Sequence, residues 1–202
     1  MARQARHSRE EFRELALDTA QAIVAEQGMT ALTARAVAAR MGYSVGMLYT
    51  AFDGIEEMIV HMHARTLDAL YDALAASPRS GKPEADLQAL LDSYLAFVRD
   101  RRAAWAMLFT DRQPDGAPIP LPAWYLEQIA RVFGLLEEIL APLFAPGEAA
   151  ARARAARLLW IALHGVWTLS AGERLEIVTP ESAEAVARHM VEVFVKGLSA
   201  PR

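Results

Sequence analysis

Residues 32–52, LTARAVAARMGYSVGMLYTAF, set two helix-sized segments on either side of a glycine-containing turn, and this spacing restricts the fold more tightly than any other part of the chain. In the first segment, Thr33 to Met41, the residues Leu32, Ala36, Val37 and Met41 share one helical face, while Arg35 and Arg40 fall away from it toward water. Thr33 is placed to cap its amino end. Gly42 can take the positive φ that terminates this helix and Ser44 can cap the next, which leaves only about three residues for the turn. Two helices joined so tightly must cross steeply. The second carries Leu48 and Phe52 four apart as buried anchors, so Val45, Gly46, Met47, Tyr49 and Thr50 face outward or sideways. Such a layout is that of a helix-turn-helix, and it points to duplex DNA as a partner.

Helical periodicity continues along the rest of the chain. Ser8 and Glu11 form a capping box for a first helix with the stripe Phe12, Leu15, Ala16, Ile23 and Val24, ending at Gly28. Asp53 with Glu56 resembles a second such cap, opening a long helix over about 54–76 with Met58, Ile59, Met62, Leu67, Leu70 and Leu74 on its apolar side. The segment SPRSGKP, residues 77–83, then breaks the pattern. Helices over about 84–99 and 103–109 follow, and Asp111 to Pro122, with four prolines and a glycine, is the longest loop. A helix over 122–140, a turn over 142–147, a very apolar helix over 148–171 and a last helix with Pro180 at its first position complete the chain. No run alternates with period two and no internal repeat is present, so the expected fold is all-α. Residues 1–53 form a three-helix domain containing the helix-turn-helix, and residues 54–202 form a second helical domain.

The residues Gly28, Leu32, Thr33, Arg35, Val37, Ala38, Gly42, Ser44, Gly46, Leu48, Tyr49 and Phe52 together resemble the TetR family of bacterial transcription regulators, over roughly residues 8–60. The resemblance implies a second helix whose N-terminus touches phosphate, a third helix in the major groove, and a C-terminal helical domain that binds a small ligand and dimerises. Carried onto this sequence, the DNA-contacting set is Thr33, Arg35, Ser44, Val45, Gly46, Met47, Tyr49 and Thr50. Two departures from the family pattern stand out. After the tyrosine, relatives often carry histidine or another polar residue, where this chain has Thr50 and Ala51; a position usually occupied by a backbone-contacting lysine is Ile55. Losing that cation removes one phosphate contact and should make binding weaker and less steeply dependent on salt. Val45 and Met47 offer only apolar contact, suited to a thymine methyl, so sequence choice leans on DNA shape or on few contacts.

Charge supports DNA modestly. Residues 1–52 hold six arginines against five acids, a net +1 that leaves −5 for the remainder of a chain totalling −4. Arg3, Arg6 and Arg9 precede the first helix as a basic arm able to reach phosphate or the minor groove, or simply as a disordered start.

The last two long helices are apolar around too much of their circumference for one partner. Leu158, Leu159, Trp160, Ile161, Ala162, Leu163, Val166, Trp167 and Leu169 require burial on two sides, one against the domain core and the other in a dimer surface or a ligand cavity. Val186, Met190, Val193, Phe194 and Leu198 can complete a four-helix interface with a symmetry mate, which is how the family's dimers are usually built. A twofold dimer implies a palindromic operator. By the same resemblance, Trp105, Phe109, Trp124, Tyr125, His164 and Trp167, with Met107 and Phe133, sit on helices that line the ligand cavity in relatives, pointing to a small apolar or aromatic effector. Each can equally be ordinary core packing. Leu163, His164 and Gly165 also resemble in part a C-terminal subgroup named for a Trp-His-Gly signature, with Trp160 upstream instead of adjacent. Gly165 allows another helix or a ligand to approach closely.

Other function classes find little footing. With 202 residues and 53% hydrophobic content the chain can bury a real core, and it has no cysteine for thiol chemistry or disulfides. There is no phosphate-cradling glycine loop and no HExxH pair. His61 and His63 lie about 200° apart around one helix and cannot chelate one metal. Nothing favours a scattered dyad such as Glu137 with His164, and a helical adaptor would leave the helix-turn-helix spacing unexplained. The amino end is charged where a secretory signal needs an apolar run, and Leu158 to Leu163 falls far short of the ~20 residues of a membrane span. The expectation is a cytoplasmic, dimeric, ligand-responsive regulator, most often a repressor in this family, with no enzymatic activity, cofactor, metal or membrane partner.

Overall fold

A computed structural model describes residues 8–109 and 121–199; Arg3 and Arg6 of the basic arm, and most of the proline-rich loop, lie outside the described residues. The regular elements among the described residues are all helices, with no strand. The helices are α1 (Arg9–Gln27), α2 (Ala34–Met41), α3 (Val45–Leu48), α4 (Ile55–Ala75), α5 (Pro83–Asp100), α6 (Arg102–Met107), α7 (Ala123–Leu140), α8 (Ala149–Ala171), α9 (Leu175–Val178) and α10 (Ala183–Ser199).

The helix starts follow from local hydrogen bonding. At α1 the Ser8 hydroxyl accepts from the Glu11 N–H at 3.2 Å and the Glu11 carboxylate accepts from the Ser8 N–H at 2.7 Å, so two orphan donors are satisfied reciprocally. The equivalent contact at α4 differs from the expected pairing: Glu57, not Glu56, accepts from the Asp53 N–H at 2.5 Å. Glu57 can do this because it lies one residue further into the first turn of a helix that begins at Ile55. The last helix also starts later than Pro180. Ser182 accepts from the Ala185 N–H at 3.2 Å and fixes the start at Ala183, leaving Pro180 in the preceding bend. Between α8 and this bend lies α9, one turn anchored by buried Leu175, too short for periodicity to signal.

The described residues divide into two compact units, one within Met1–Asp68 and Arg101–Leu126, the other within Ala69–Asp100 and Glu127–Arg202. In the first unit, α1 packs on α2 and α6, and α2 on α3, around Phe12, Ala16, Leu17, Ile23, Val37, Leu48, Phe52, Met58, Met62 and Met107. In the second, α10 packs against both α5 and α8. The long helix α4 supplies Met58, Ile59 and Met62 to the core of the first unit and Leu70 and Leu74 to the interior of the second.

Candidate nucleic-acid interface

The turn between α2 and α3 is built from residues that can do little else. Thr33 caps α2 by accepting from the Ala36 N–H at 3.1 Å. Gly42 ends it at φ 76°, ψ 25°, the left-handed conformation that costs a glycine least, and its N–H is donated to the carbonyls of Ala38 and Ala39. Ser44 then caps α3 by accepting from the Met47 N–H at 3.2 Å. Between these caps the Tyr43 ring packs edge-on against Phe12 of α1, with centroids 5.1 Å apart, pinning the turn to the core.

With Leu48 and Phe52 each 2% exposed, the opposite side of α3 and the turn after it is outermost. Met47 is 44% and Tyr49 54% exposed; Ser44, Gly46 and Thr50 are also exposed, and Val45 is half-buried. Upstream, Thr33 and Arg35 are exposed at the start of α2. Arg40, at the far end of α2, donates bidentately to Glu26 at 2.6 Å, a pairing that occupies its fork. Ile55, standing where relatives carry a backbone-contacting lysine, is half-buried and packs against the core of the first unit.

Sequence reasoning missed the residue that braces this surface. Arg13 of α1 lies with its guanidinium 4.3 Å from the Phe52 ring centroid, donates to the Ala51 carbonyl, and reaches Glu57 Oε1 at 3.4 Å and His61 Nε2 at 2.7 Å. Burial, and next the Arg13 charge, hold His61 below its usual range. The Glu57 carboxyl is kept ionised by the Asp53 N–H and by Arg13, which outweigh its partial burial. Nothing local announces these contacts, since Arg13 is 38 and 44 residues away from Ala51 and Glu57. Two residues along α4, His63 is 1% exposed and burial alone pushes its pKa down to about 4.

The expected ligand residues are divided between the two units. Trp105, Phe109, Trp124 and Tyr125 belong to the first unit and His164 and Trp167 to the second. Trp105 and Tyr125 are buried; Trp105 packs edge-on against Phe109, and Trp124 stacks on His61 with centroids 4.9 Å apart. His164 is half-buried and stacks on Trp160 at 4.9 Å and 7°, so one helical turn restores the tryptophan-histidine adjacency that the linear order lacks. Gly165 faces open space within the chain, since a Cβ added there would meet nothing within 4 Å.

A cavity of about 40 Å³ does lie inside the second unit, and none of those six residues lines it. Its walls are Leu70 and Leu74 of α4, Leu87, Leu90, Leu91 and Tyr94 of α5, Val132 and Leu136 of α7, Leu159, Trp160 and Leu163 of α8, and Val191 of α10. The void has room for a few water molecules, and no charged side chain faces it. Leucine and valine dominate the lining, which makes its residues indistinguishable by type from ordinary core.

The geometry agrees with comparisons to known proteins. Residues 16–62 match a family model described as bacterial regulatory proteins, tetR family, and residues 87–194 match one described as tetracyclin repressor-like, C-terminal domain. Neither description names a Trp-His-Gly signature. Among solved structures, SCO4313, provisionally described as a regulatory protein, is 24% identical with a TM-score of 0.70 over the full length of both chains. A protein of unknown function from Rhodococcus sp. RHA1 is 20% identical with a TM-score of 0.70, covering 98% of this chain and 100% of that one. A TetR-family transcriptional regulator from Streptomyces coelicolor is 19% identical with a TM-score of 0.65, covering 95% and 99%. At these identities the likeness is one of fold. No curated protein sequence matches this chain.

Proposed function

This chain belongs to the TetR family of bacterial regulatory proteins, and from that membership we propose that it is a ligand-responsive repressor, binding a palindromic operator as a homodimer in the cytoplasm and released by a small apolar effector. The observation that carries the reading is the capped α2–Gly42–α3 turn, which buries Leu48 and Phe52 and leaves Met47 and Tyr49 outermost. The contact set is Thr33 and Arg35 at the start of α2, with Ser44, Val45, Gly46, Met47, Tyr49 and Thr50 around α3. Residues 1–53 act as the reading head and 54–202 as the effector and dimerisation domain.

Dimerisation is supported by apolar side chains left uncovered on two helices that pack together. Leu158 and Ile161 of α8 are 55% and 59% exposed and Val193 of α10 is 55% exposed, an arrangement that a twofold partner would bury. The proposed effector site is the cavity of the second unit. Because it holds only about 40 Å³, an effector must push its walls apart to enter. Leu70 and Leu74 are among those walls, so entry displaces the carboxyl half of α4, whose first turns carry Met58, Ile59 and Met62 in the core of the first unit. Effector and operator then favour different positions of α4, and each weakens the other by the same factor. The test is a gel shift against the DNA upstream of the chain's own gene, with and without neutral apolar compounds. A retarded band that a compound releases supports the reading; no fragment preferred over random DNA at modest salt would sink it.

A further inference from the structure

We infer that this protein reads its operator chiefly through thymine C5-methyl groups contacted by Met47, a specificity that rests on the proposed DNA binding and narrows it to one chemistry. Apart from Arg35 and Tyr49, the hydrogen-bonding side chains around the reading helix are engaged within the fold. The Ser44 hydroxyl holds the Met47 N–H at 3.2 Å, the Thr50 hydroxyl donates to the Met47 carbonyl at 2.7 Å, and Thr33 caps α2. Arg40 is forked onto Glu26, and Arg13 is folded back onto Ala51, Phe52 and Glu57. None of the bidentate groups that distinguish guanine or adenine in the major groove is carried by α3 itself, which reads Val45, Gly46, Met47 and Leu48. What α3 exposes is a thioether chain, 44% open to solvent.

Gly46 strengthens the case. Its φ is not positive, and an added Cβ would meet only the Ser44 hydroxyl at 3.9 Å, so the fold does not require glycine at this position. A bare backbone beside Met47 instead lets the helix settle closer to base edges. On the major-groove edge, the group this thioether side chain complements is the thymine methyl, since the other base-edge groups there are donors and acceptors. Met47 supplies a flexible, polarisable contact that buries it.

The experiment starts with duplexes selected from random-sequence DNA by the purified full-length chain. The enriched duplex is then remade with deoxyuridine in place of each thymine in turn, which deletes only the methyl, and affinity is read by fluorescence anisotropy at fixed salt. At one or two positions per half-site the wild type should weaken about fourfold for each methyl lost. Met47→Ala should bind the thymine and deoxyuridine duplexes alike at those positions; because Met47 is exposed, its thermal melt should match the wild type. A selected duplex whose affinity ignores every deoxyuridine replacement overturns the inference, as does a Met47→Ala variant that keeps the full thymine preference. Failure to enrich any sequence would overturn the DNA reading itself, and is a separate result.

Discussion

The Arg13 guanidinium stacks 4.3 Å from the centre of the Phe52 ring while donating to the carbonyl of Ala51, the residue immediately before it. One side chain of α1 thus holds the segment that follows the reading helix from two directions. A charge-assisted hydrogen bond and a cation–π contact together are worth about 2 kcal/mol at a partly buried site. Arg13→Ala should therefore lower the free energy of urea unfolding by about that amount. Arg13→Lys should recover little of it, because an ammonium cannot stack and fork at once. Both variants should lose operator affinity in anisotropy titrations beyond what their unfolded fraction explains.

Ile55 packs against the core of the first unit at a position where the family resemblance implies a phosphate-contacting lysine. Ile55→Lys should tighten DNA binding at low salt and steepen the log–log dependence of affinity on salt by about one for each phosphate gained. It should also cost about 1 kcal/mol in stability, since Ile55 packs against the core of the first unit and a lysine must extend outward from there. A salt series with a chemical melt checks both halves; an unchanged salt slope would show that residue 55 lies away from the backbone of the duplex.

Buried His63 predicts a pH dependence with a definite sign. Its pKa is about 4 when folded against 6.5 as the ordinary value, so between these the unfolded chain binds the proton and the folded chain does not. Stability from this group is fully present above pH 6.5 and is lost as pH falls toward 4, roughly 2 kcal/mol by pH 5. His61 and His164, both held below their usual range by burial, act in the same direction. Urea unfolding at pH 7.5 and pH 5 should show wild-type stability dropping more than that of His63→Gln.

Ile161 tests the dimer. With 59% of its surface uncovered, replacement by glutamate should leave the helical content and melting of a single subunit nearly intact. In a twofold interface it would place two carboxylates close together in apolar surroundings, so sedimentation should show a monomer, and half-site cooperativity on DNA should disappear. A variant that sediments as the wild type would remove α8 from the interface.

Residues whose roles are settled by neighbours three or four positions away could be read directly from the order of amino acids. Ser8 with Glu11, Thr33, Gly42 and Ser44 are caps and a turn, and the bonds they make close within one helical turn. Leu48 and Phe52 as anchors followed from the same spacing. The family resemblance also rested on this segment, because a short turn leaves few residue types able to fill it.

Only tertiary structure decided the rest, for a physical reason common to every case: the partner lies far away along the chain. Arg13 has no local sign that it will meet Ala51 and Phe52, and Ile55 reads as a missing lysine until its packing is seen. Trp105 and Tyr125, which the family resemblance places on cavity-lining helices, are buried within the first unit. The cavity is lined mainly by leucines from four helices, identical in kind to leucines of a filled core. Periodicity tells which face of a helix avoids water, but whether the opposing faces meet or leave a gap depends on how side chains from distant segments fit, and that is determined only when the helices pack.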